Sequence, residues 1–120
     1  MKIAVSSTGR ELSSMTDQRF GRARFFIVVD TETGEFIAND NTQNLNALQG
    51  AGIQSAKNIV DFGANAVITG NVGPKAFNTL QVAGIDIYIG ATGTVQEAVD
   101  AFKAGKLQKT GKASVEGRWM

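Results

Sequence analysis

Three short glycine-bearing stretches hold the residues whose chemistry is easiest to name: SSTGR (6–10), GNVGP (70–74) and GATGT (90–94). Within TGNVGPKAF (69–77), two glycines and the only proline stand where a helix should begin. Proline suits the first helical position, having no amide hydrogen to leave unpaired and a φ that already matches the helix. Gly70 and Gly73 remove side chains that would keep a ligand off the backbone. Amide hydrogens at a helix start carry partial positive charge and favour an anion. Each hydrogen bond to a charged group contributes about 1.5–3 kcal/mol, so three or four on one ligand suffice for roughly micromolar binding. Ser7 and Thr8 in the first turn are candidate contacts, as are Gly70, Asn71 and Gly73 in the second and Thr92 and Gly93 in the third. The plainer alternative is that these glycines only make compact turns. Neither a GxxxxGK[ST] loop nor a complete GxGxxG after a strand is present.

The arginine group DQRFGRAR (17–24) is the second chemical feature. A guanidinium grips oxyanions with two N–H groups at once and meets softer anions along the same edge. Arg19 and Arg22 are candidate anion contacts, with Phe20 as an apolar wall and Gly21 giving access, whereas Arg24 reads as charge guarding a strand edge. Absences narrow the chemistry further. The 120 residues include no cysteine and no histidine. That excludes a disulfide, a thiolate or imidazole ligand set, a cysteine nucleophile and a Ser–His–Asp triad. A directly bonded soft metal would have to use Met1, Met15 or Met120. The parallel strands do not end in the carboxylates that a two-metal nuclease requires. The expectation is a binding protein, not an enzyme.

These residues need a frame. KIAVSS reads as a strand, and RFFIVVD (24–30), TETGE and FIAND form a β-hairpin turning at Gly34. Residues 39–52, NDNTQNLNALQGAG, show no period and read as a long loop. In IQSAKNIVDFG a helix places Ile53, Ala56 and Val60 on one face and stops at Gly63. ANAVITG is a strand. PKAFNTLQVAG is a helix with Ala76, Phe77, Leu80 and Ala83 inward, IDIYIG is a strand, and TVQEAVDAFKAG is a helix opened by a Thr94–Glu97 capping box. Successive strand–helix units imply right-handed crossovers and a parallel sheet flanked by helices. With the hairpin, the result is a mixed sheet of about five strands in a three-layer α/β/α sandwich. Ligands gather outside the carboxyl ends of the parallel strands in such sheets, where all three glycine turns map.

Length allows one domain, placed at 1–107, with 108–120 as a mobile tail. The apolar share of 42% and charged share of 19% are those of a soluble globular protein. A net charge of +1 gives no reason to expect nucleic acid, no apolar run reaches membrane-spanning length, and MKIAVSSTGR lacks the apolar core of a signal peptide. A cytoplasmic location is expected.

RFGRARFFIVVD, GAGIQSA, GNVGPKAF and GTVQEAVDAFKAGKL together resemble the dinitrogenase iron–molybdenum cofactor biosynthesis family, which includes NifX-like carriers and the C-terminal domain of NifB proteins. The similarity runs over about residues 2–107. It implies a ribonuclease-H-like fold and non-enzymatic binding or delivery of a metal–sulfur cluster containing molybdenum with iron or, in some relatives, copper. Cofactor-assembly or regulatory proteins would be partners. The matching positions are Phe20, Gly21 and Arg22, then Gly50, Ala51 and Gly52, then Gly70, Asn71, Gly73, Pro74 and Phe77. Many relatives carry histidine immediately before FGR, where this chain has Arg19, and a second histidine in the middle loop is also missing. A cluster would therefore be held non-covalently, by backbone N–H groups and arginines. Two other readings stay open: a regulatory or adaptor domain with a vestigial cleft, for which Trp119 is a candidate partner contact, and a phosphate- or nucleotide-binding domain.

Overall fold

A computed structural model describes residues 1–45 and 50–114 of the chain. Strands β1 (Lys2–Ser7), β2 (Phe25–Asp30) and β3 (Phe36–Asp40) come first, followed by helices α1 (Thr42–Leu45) and α2 (Ala51–Asp61). Then β4 (Ala66–Ile68), α3 (Pro74–Val82), β5 (Asp86–Ile89), α4 (Val95–Lys103) and β6 (Gln108–Lys109) complete the order. The strands form one sheet in the order β3-β2-β1-β4-β5-β6. β1, β4 and β5 run parallel; β2, β3 and β6 run antiparallel to their neighbours.

Period-two alternation divides the strand residues between two cores. Ala4, Phe26, Val28, Val67 and Ile87 face Ala56 and Ile59 of α2 and Ala76, Phe77 and Leu80 of α3. Ile3, Val5, Ile27, Val29, Ala66 and Ile68 face Val95, Ala98 and Val99 of α4. The architecture is thus the expected α/β/α sandwich with a mixed sheet. Burying a side chain such as Leu80 contributes about 1.5–3 kcal/mol, and the two cores hold helices on both faces of a sheet that neither could cover alone.

Four local differences from the sequence expectation have physical causes. First, α2 starts at Ala51, two residues early, and buries Ala51, Ser55, Ala56 and Ile59, while Val60 is 43% exposed. Gly50, at φ 80°, supplies the left-handed turn that makes the earlier start feasible. Second, the 39–52 stretch is not all loop, because it holds the end of β3, α1 and the start of α2; residues 46–49 lie outside the described residues. Third, Ala83 is the exposed C-cap of α3 and leaves only Ala76, Phe77 and Leu80 inward. Fourth, a sixth strand forms beyond residue 107. Ile89 pairs with Gln108, Tyr88 with Lys109, and the Thr110 amide donates to Ile87 O at 2.8 Å. Further on, the Ser114 amide donates to Val72 O at 2.9 Å. Arg118 and Trp119 lie outside the described residues. The Thr94–Glu97 capping box forms as expected, with both reciprocal hydrogen bonds present.

Candidate functional site

Residues Met15–Phe20 cross the carboxyl ends of the parallel strands and touch all three glycine turns. Isolated bridges pair Ser7 with Thr16, Met15 with Thr94 and Arg19 with Asn71. The Thr8 amide donates to Met15 O (2.9 Å), the Asp17 amide to Ser6 O (2.9 Å), the Thr16 amide to Gly93 O (2.9 Å) and the Phe20 amide to Asn71 O (3.2 Å). Gln18 Nε2 reaches Ala91 O at 2.9 Å. The Gly90 amide joins the second and third turns directly through Gly70 O at 3.0 Å. The three turns are therefore neighbours, laced together by this strap.

Helices α2, α3 and α4 also begin at this end, and their first turns differ. In α4 the amides are all taken: Thr94 N by Glu97 Oε1, Val95 N by Ser14 O, Gln96 N by Leu12 O and Glu97 N by Thr94 Oγ1. Gly50 precedes α2 and Gly73 precedes α3 as their N-terminal caps, and neither helix has a side-chain cap or an acidic residue in its first turn. Those two starts touch. A Cβ placed on Gly52 would lie 3.3 Å from Ala76 Cβ, and one on Gly21 would lie 2.8 Å from Gly52 Cα. Main chain at Gly21 thus packs directly on the first turn of α2, and Asn71 ties the residues just before it to the loop that opens α3.

The candidate residues fall into two groups around the strap. Arg19, Phe20, Gly21 and Arg22 run along the two open helix starts, beside Gly50, Gly52, Gly70, Asn71 and Gly73. Ser7, Thr8, Thr92 and Gly93 lie on the side of the closed helix. Ser7 is buried and its hydroxyl donates to Gly9 O at 2.8 Å, while Gly93, at φ 77°, sits against the Glu97 carboxylate. Phe20 is fully buried, its ring packed at a tilt against Phe26 with centroids 5.1 Å apart, so it supports the rim from below instead of walling the cleft. Gly70 is needed because a side chain there would run into Gln18 Cα at 2.7 Å. Arg19 keeps a largely exposed side chain, with its Nε 4.0 Å from Asp17 Oδ1, and Arg22 is half-buried. Lys75, exposed in the first turn of α3, adds a cation that sequence reasoning missed. Placing a cation there opposes the helix dipole unless an anion accompanies it.

A buried polar network holds the loop after Gly21 in place. Asn41 Nδ2 donates to Ala23 O (2.8 Å) and Ser55 Oγ (3.2 Å), Ser55 Oγ donates to Gly21 O (2.9 Å), and Asn44 Nδ2 donates to Asn41 Oδ1 (2.9 Å). Asn41, Asn44 and Ser55 are each at least 95% buried. Their separation along the chain hid them from motif reading. The adjoining Asp40 accepts from the Thr42 hydroxyl (2.6 Å) and amide (2.7 Å), which hold its carboxyl below the usual range. No group of three or more aspartates or glutamates that could hold a metal ion converges among the described residues. Amides and cations fit an anion held from outside its coordination sphere.

A family model described as dinitrogenase iron-molybdenum cofactor matches residues 1–105. The chain belongs to that family. Solved structures agree with the assignment. The apo form of the orange protein from Desulfovibrio gigas is 38% identical, with a TM-score of 0.93 over 95% of this chain and 96% of that one. A candidate NifB protein from Thermotoga, solved by NMR, is 41% identical, with a TM-score of 0.84 over 97% and 98% of the two chains. An uncharacterised protein of Methanocaldococcus jannaschii is 37% identical over 111 residues, 91% of each chain. The resemblance read from RFGRARFFIVVD and GNVGPKAF is thereby shown, and with it the fold of this cofactor family.

Proposed function

We propose that this chain is a cytoplasmic, non-enzymatic carrier of an anionic metal–sulfur cluster or its thiomolybdate precursor, with molybdenum accompanied by iron or copper. Membership of the cofactor family supports the class of cargo. The observation that carries the mode of binding is the contact between two uncapped helix starts, α2 at Gly50 and α3 at Gly73, in a chain without cysteine or histidine. Amides of the first turns and the cations Arg19, Arg22 and Lys75 supply the positive rim, Gly21, Gly52 and Gly70 pack the strap and the two helix starts against one another, and the open space at Gly50 leaves room for a bulky polyanion. Ser7, Thr8 and Gly93 are engaged by the scaffold through Gly9 O, Met15 O and the Thr16 amide, so the contacts proposed for cargo centre on the α2 and α3 side. Cofactor-assembly proteins would load and unload it.

Mixing the purified protein with tetrathiomolybdate, with and without copper(I) or iron(II), and desalting at moderate salt tests this. Retained charge-transfer absorbance at a fixed stoichiometry is expected. Colourless protein after desalting would sink the proposal, and thermal stabilisation by nucleotides or phosphate in place of thiomolybdate would support a phosphate site.

A further inference from the structure

The two edges of the sheet are built differently. β6 is only two residues long and carries Lys109, whose Nζ lies 3.0 Å from Asp86 Oδ1. Short strands and lysines discourage pairing with other chains. β3 has five residues, FIAND, with neither lysine nor proline, and no strand lies on its outer side among the described residues. Its hydrogen-bonding phase follows from two observations. The Asp30 amide donates to Glu35 O at 2.9 Å, and Val28 stands opposite Ile37. In an antiparallel ladder the inward-bonding residues alternate. The main chains of Glu35, Ile37 and Asn39 therefore face β2, and those of Phe36, Ala38 and Asp40 face outward.

Beside this edge runs a groove of about 380 Å³, lined by residues that include Val28, Phe62, Ile37, Lys2, Asp30 and Glu35. Its apolar side is open: Ile37 is 69% exposed and Phe36 37% exposed. Its charge is unbalanced, with Asp30 and Glu35 against Lys2, and Glu35 forms no ion pair among the described residues. Lys2, Asp30 and Phe36 lie at the amino end of β1, opposite the helix starts described above.

We infer that β3 docks a six-residue extended segment of a partner protein, with a cation at each end and three apolar residues among the four between them, which adds to the sheet as a seventh strand. Main-chain pairs to Phe36, Ala38 and Asp40 give the affinity, and the side chains above Ile37 and beside Glu35 give the selectivity. An antiparallel segment sets one cation against Glu35, which has no ion pair among the described residues, and the other against Asp40, whose carboxylate is shared with Arg10 at 3.7 Å.

The test is titration of the isotope-labelled full chain with acetyl-Lys-Thr-Val-Val-Val-Arg-amide, read by NMR and amide hydrogen exchange. The Phe36, Ala38 and Asp40 amides should shift saturably and exchange about tenfold more slowly, while Ile37 and Asn39, already bonded to β2, change little. Ala38→Pro deletes an outward amide without touching the inner ladder and should weaken binding about tenfold, the loss of one main-chain bond. Exposed Glu35→Lys, which leaves the backbone alone, should weaken it as well. Binding that is unchanged in both variants, or equal with glutamate in place of the peptide's two cations, overturns the inference. So does concentration-dependent dimerisation abolished by Ala38→Pro, which would assign the edge to a second copy of this chain.

Discussion

Gly21 is the position where a single methyl group decides most. Its Cβ would meet main-chain atoms of Gly52 at 2.8 and 2.9 Å, and main chain cannot swing aside as a side chain can. Gly21→Ala should cost about 1–3 kcal/mol of stability, measurable as a lower midpoint in urea. Arg19→Ala should behave oppositely. It removes an exposed cation, leaves the melting temperature within error and weakens thiomolybdate binding about tenfold, as titration of the charge-transfer band would show. Motif reading found Gly21 through FGR and Arg19 through the arginine group DQRFGRAR. It could not find Asn41, whose partners Ala23 and Ser55 are distant in sequence and whose burial is a property of the fold. Asparagine in a polar stretch reads as surface until its neighbours are known.

At the scale of elements, the three helix starts make an internal comparison. α4 follows every local rule, with a threonine cap, Glu97 in the first turn and Lys103 in the last. α2 and α3 have neither a side-chain cap nor an acidic residue in the first turn, although Pro74 opens α3. Thr94→Ala should cost about 1 kcal/mol of stability and leave cargo affinity unchanged. Lys75→Glu reverses the argument, since an acidic side chain suits a helix start. It should raise the melting temperature slightly in the free protein and cut thiomolybdate affinity about tenfold, a trade that calorimetry and binding on one sample would reveal. Helices and strands were legible because glycine stops, the capping box and apolar spacing are all local signals. The start of α2 and the strand β6 were not, since Gly50 gives no helical signal before its φ is known and a two-residue strand exists only through its partner β5.

For the whole molecule, the pH dependence of stability has two limbs with opposite signs. Lys109 has its pKa raised, by the hydrogen bond to Asp86 and then by that residue's charge, so its contribution is present below the ordinary lysine range and lost as pH rises through the raised value. Asp40 has its pKa lowered by Thr42, so its contribution is present above the ordinary carboxylate range and lost as pH falls through the lowered value. Melting temperature against pH should show a plateau between these ranges, and Asp86→Asn should flatten the alkaline limb alone. Both groups are on the surface, so the slopes will be small and weakened by salt.

The strap also has a consequence for how the protein is made. Thr16 is bonded to Gly93, 77 positions later, and contacts so far apart form late because the intervening chain must close first. A polypeptide still emerging from the ribosome has its first arginines long before the last strand–helix unit arrives to fix them. The rim proposed to hold cargo is then finished only on a chain that has been made through the last strand–helix unit.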